Sequence, residues 1–255
     1  MSEHSAALSP RHSRAVSSPV GATQRPRGWG VWGTLAWTGG GIFLASLQPI
    51  AEALRFDLPL QLESVVQCMV SVAVITMVVL ATRLTGIPVP DYLGLARPRV
   101  RDILRGVGCG AVAYIASMGL FVFLAPLATP SISLTTPMAA SIGGFDKALA
   151  ILTTLISGIV AGPIAEELLF RGFMYRGLES RLGGIAALLV TSVTFGLLHK
   201  IYGYGWDWVV VTCFLGLLCG WLRRRSGGVI LPIVTHATYN VFGTALVAGG
   251  IFLLR

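Results

Sequence analysis

Charge is what this sequence has least of. Only 12% of its 255 residues are Asp, Glu, Lys or Arg, against about 25% in a soluble domain. The chain is 54% hydrophobic, with a mean hydropathy of +0.76. Such a chain cannot hide its apolar surface in one water-facing globule, so lipid must solvate much of it. Lysine is almost missing: Lys147 and Lys200 stand against 17 arginines, and the net charge is +8. The arginines flank apolar runs, where they mark topology and meet anionic headgroups. Nucleic acid is therefore not an expected partner. The four cysteines, Cys68, Cys109, Cys213 and Cys219, form no C-x-x-C pair and lie in apolar stretches. That excludes a disulfide framework and a zinc knuckle, and leaves them as small buried hydrophobes.

What is present is a series of long apolar runs. Seven are expected to span, at about 30–51, 62–82, 104–128, 148–170, 184–200, 207–222 and 229–253. The fifth and sixth are short for a full crossing. Residues 1–28, rich in Ser, Pro and Arg, read as a disordered basic cytoplasmic tail. Residues 29–255 read as one all-α domain, a polytopic transmembrane helical bundle whose last four helices hold the site. The segment Ser131–Gly144 fits no span. Basic residues crowd the tail and alternate loops, up to Arg223, Arg224 and Arg225. This pattern places the N-terminus in the cytoplasm and the C-terminus outside.

Ionisable groups inside membrane spans are costly, so each one is a candidate site. Glu166, Glu167 and Arg171 form the first cluster. Glu167 and Arg171 are spaced i,i+4 and can pair on one helical face, while Glu166 projects about 100° away. Pro163 removes a helical hydrogen bond just upstream and favours a kink. The second cluster is Phe195 with His199. The third is His236 with Asn240, again i,i+4. Each has a plain structural reading as an interfacial helix, a helix-end histidine or an interhelical polar pair. Together they gain force. Glu166 and His199 are 33 residues apart, with their midpoint in the turn at 181–184. In an antiparallel hairpin each lies roughly 25 Å from the tip, at equal depth. His236 starts about 10 Å into the last span, and the depths agree if the tip protrudes into the cytoplasm.

The ordered pattern EExxxR, FxxxH and HxxxN resembles the CAAX-protease and bacteriocin-processing family of intramembrane proteases, the type II CAAX prenyl endopeptidases, across about 145–245. Tyr92-Leu93-Gly94-Leu95 is similar to a loop found in many members. The resemblance implies an intramembrane endopeptidase of membrane-associated protein or peptide substrates. It implies that Glu166 and His199 activate water, that His236 and Asn240 support the oxyanion, and that Glu167 and Arg171 orient them. No cofactor is expected. Zinc on Glu166, His199 and His236, with Glu167 as base, is the alternative the residues leave open.

Other intramembrane protease patterns fit less well. There is no H-E-x-x-H and no G-x-S-G. Gly143-Gly144-Phe145-Asp146 is only superficially similar to a G-x-G-D motif, and no second membrane aspartate accompanies it. Two other classes compete: a proton- or ion-coupled transporter, and a non-catalytic membrane scaffold or immunity protein. The absence of internal repeats and the ordered motifs weigh against them.

Overall fold

A computed structural model describes residues 28–54, 60–124 and 151–253. Residues 1–27 of the expected tail and the unassigned Ser131–Gly144 segment lie outside these residues. All regular structure among the described residues is helical. It comprises α1 (Val31–Ala53), α2 (Leu60–Arg83), the short α3 (Val89–Leu93) and α4 (Val100–Leu124). The continuous α5 (Ile151–Leu182) follows, then α6 (Gly184–Ile201), α7 (Trp206–Ser226) and α8 (Ile230–Leu253). Five of them, in α2, α4, α5, α6 and α7, are long and apolar enough to cross a membrane. Among the described residues that measure returns five such helices, where seven spans were expected. Val112, Ile115, Val122 and Phe123 of α4 are exposed, as a lipid-facing helix requires, since lipid solvates apolar side chains and the helix satisfies its own backbone.

In length α5 differs from expectation: it has 32 residues and runs through to Leu182, well beyond the expected 170. Around Pro163, where the sequence favours a kink, the helix continues but loosens into two wider π turns, Ile156–Ala161 and Leu168–Met174, on either side of the α-helical Gly162–Glu167. At its end Gly183 takes φ +79°, a left-handed conformation that glycine adopts without strain. The chain there reverses into α6, the hairpin anticipated from the motif spacing.

Packing is tightest at the end of the bundle that holds this turn. Leu169, Phe170, Phe173, Met174, Tyr175 and Leu178 of α5 form the core with residues of α2, α3 and α6. Arg171 is fully buried, and its Nη2 donates to the Gly216 carbonyl of α7 at 3.0 Å. The Val229 amide donates to the Gly94 carbonyl after α3 at 3.0 Å. On the other side, α4 lies against α8 through Gly106 and Gly110. A Cβ at Gly110 would stand 2.5 Å from the Thr235 carbonyl oxygen, so this close approach admits only hydrogen. The four cysteines are free, with Cys219 buried and the other three half-buried.

Candidate active site

Consecutive positions on α5 give the two glutamates opposite environments. Glu167 is completely buried. Its Oε1 accepts from Arg171 Nη1 at 3.0 Å and lies 3.0 Å from His236 Nδ1. An ionised carboxylate cannot donate, so the His236 Nδ1 must carry the proton. That leaves Nε2 facing the second glutamate, with Glu166 Oε2 3.8 Å away. The Glu166 side chain is 22% exposed and looks into a cavity of about 300 Å³. His199 lines the same cavity. Its Nδ1 lies 3.0 Å from the Phe195 carbonyl. The carbonyl can only accept, so Nδ1 holds the proton and Nε2 keeps its lone pair.

Phe195 organises the surroundings. Its buried ring sits 5.0 Å from His199 and 5.7 Å from His236, centroid to centroid. The Arg171 guanidinium lies 4.6 Å from the same ring. Cation and ring therefore stack in a water-poor interior, where the attraction is strongest.

The π turns explain how α5 docks on its neighbours. In the first, the Gly162 amide reaches Ser157 instead of Gly158, and Pro163 has no N–H to offer. The Gly158 carbonyl is thus left without a helical partner, and Asn240 Nδ2 donates to it at 2.7 Å. In the second, the Tyr175 amide reaches Phe170, and Arg223 Nε donates to the Arg171 carbonyl at 3.1 Å. Each widened turn is met by a side chain from another helix. Such turns recur at functional sites. Asn240 and His236, on one face of α8, therefore contact α5 on either side of Pro163.

Five cavity-lining residues carried no motif: Gln48 and Pro49 of α1, Gln67 of α2, and Tyr202 and Tyr204 after α6. The pair of tyrosines closely following His199 is the one signal that could have drawn attention to them. The Tyr202 ring lies 5.7 Å from His199. Burial, and secondarily the charge of Glu166, holds its phenol well above the usual tyrosine range, so Tyr202 faces the cavity protonated. Among the described residues, no three His, Cys, Asp or Glu side chains are grouped to hold a metal ion. The trio Glu166, His199 and His236 does not form such a group.

Comparison with known proteins bears on the same region. Residues 148–242 match the family "Type II CAAX prenyl endopeptidase Rce1-like". The chain is 31% identical over 140 residues to an "Uncharacterized 24.3 kDa protein" of Escherichia coli, covering 54% of this chain and 60% of that protein. It is 27% identical over 97 residues to the "Putative membrane peptidase YdiL" of Bacillus subtilis strain 168, covering 38% of each. It thus spans less than two thirds of either relative. No solved structure gives a significant match.

Proposed function

We propose that this chain, Rce1-like over residues 148–242, is an intramembrane endopeptidase acting on membrane-associated protein or peptide substrates. One observation carries the reading. Within an apolar bundle, Glu166 and His199 line a single cavity large enough for water, while the adjacent Glu167 is neutralised by Arg171. One carboxylate is thereby left to act as a base.

In the reaction, Glu166 takes a proton from a water held beside it, and His199 Nε2 orients that water through its lone pair. The hydroxide adds to the substrate carbonyl carbon. The developing oxyanion is supported by His236 Nε2 when that nitrogen is protonated, and by the second amide hydrogen of Asn240. With His236 charged, Glu166 and Glu167 are balanced by Arg171 and the imidazolium, so the buried site is neutral overall. The C–N bond then breaks, and Glu166 passes its proton to the leaving amine. Glu167 accepts from His236 Nδ1 and so fixes the orientation of the ring, a positioning role.

The test is cleavage of a membrane-peptide library by the detergent-purified protein and by Glu166→Gln, each with and without a zinc chelator. We expect the variant to remain folded and lose at least about 10²-fold in rate, as removal of a general base does. Equal cleavage by the variant would refute the assignment. Loss of wild-type cleavage with chelator, restored by zinc, would replace the water-activating pair with metal chemistry.

A further inference from the structure

The bundle has two unlike ends. Three basic segments meet at one of them. Between α2 and the start of α4 lie Arg97, Arg99 and Arg101, and Arg176 and Arg181 precede the α5–α6 turn. The run Arg223–Arg225 closes α7. Contacts tie these segments together: Val229 bonds Gly94, and Arg223 bonds the Arg171 carbonyl. A Cβ at Gly184, beside the turn, would stand 3.1 Å from Arg224 Nε. At the opposite end, among the described residues, Lys200 is the one lysine or arginine.

The cavity opens at this second, arginine-poor end. Gln48 and Pro49 come from the last turns of α1, and Gln67 from the first half of α2. His199 is in the final turn of α6, with Tyr202 and Tyr204 just after it. Glu166, at mid-helix, is the deep residue. Basic residues are retained in the cytoplasm when a membrane protein inserts. We infer that the cavity opens to the non-cytoplasmic side, so that its substrates are peptide segments exposed beyond the membrane and not cytoplasmic tails. The direction of the mouth follows from charge and topology alone; the word substrate rests on the endopeptidase reading above.

The experiment keeps the two apart. In the full chain with Cys68→Ala, three single variants are made: Gln67→Cys in the cavity, Lys200→Cys near its mouth and Arg225→Cys at the basic end. Intact cells are treated with a membrane-impermeant thiol reagent, before and after permeabilisation, with the parent chain as background. Gln67→Cys and Lys200→Cys should label about equally in both conditions, and Arg225→Cys at least about tenfold less in intact cells. Labelling of Arg225→Cys from outside, or of Gln67→Cys only after permeabilisation or not at all, would overturn the inference.

In parallel, single-span peptides carry a randomised flank either outside or inside the membrane, and are expressed with the wild type or Glu166→Gln. Cleavage of outer flanks by the wild type alone is expected, and wild-type cleavage of inner flanks would overturn the inference. Outward labelling with neither flank cleaved supports the direction of the mouth and defeats the protease reading instead.

Discussion

At the scale of single residues, the site depends on a division of labour between neighbours. Glu167 is locked between Arg171 and His236 with no solvent contact, and Glu166 is open to the cavity. The i,i+4 spacing made the Glu167–Arg171 pair legible in the sequence, because both partners lie on one helix. The third member, His236, is 69 residues away, and no spacing rule reaches that far. A buried pair broken from one side leaves an uncompensated charge. Arg171→Met should therefore cost about 3–5 kcal/mol, read as a large fall in the thermal unfolding temperature in detergent. The double variant with Glu167→Met should recover much of that loss, because it removes the stranded carboxylate.

Among the helices, hydropathy located the apolar runs and the Gly183 turn, since burial in lipid leaves a direct compositional trace. It did not reveal how α5 is wound. Its widened turns depend on partners from α7 and α8, and so are tertiary facts. The residues of α1 and α2 that line the cavity were equally silent, because a glutamine facing water in a membrane bundle has no distinctive spacing. The seam between α4 and α8 offers a clean contrast. A side chain at Gly110 would collide with Thr235 and Thr238, whereas Gly108, half a turn away, has nothing within 4 Å. Gly110→Leu should lower the folded yield and unfolding temperature, as overpacking by about 1–3 kcal/mol or more would. Gly108→Leu should leave both near wild type. Equal effects would show that helix propensity, and not the close approach, governs this position.

For the molecule as a whole, the basic end is knitted by buried arginines and backbone contacts, and the other end carries the cavity. The first π turn links the two halves of the chain. Upstream of it, Thr154 and Ser64 share a hydrogen bond of 2.8 Å between α5 and α2. Downstream, Glu167 and Arg171 are anchored in the core. A π turn is an α-helix with one residue too many, so Ile156–Ala161 acts as a phase setting, like an extra tooth in a gear train. Winding these same residues as regular helix would swing Thr154 about 100° around the axis relative to Glu166. Losing Ile159 would take out the surplus residue and leave the two in phase, whereas one residue more would put the first half of the bundle out of phase with the half that holds Glu166. In a detergent unfolding assay, an alanine inserted after Ile159 should destabilise the protein more than deletion of Ile159 does.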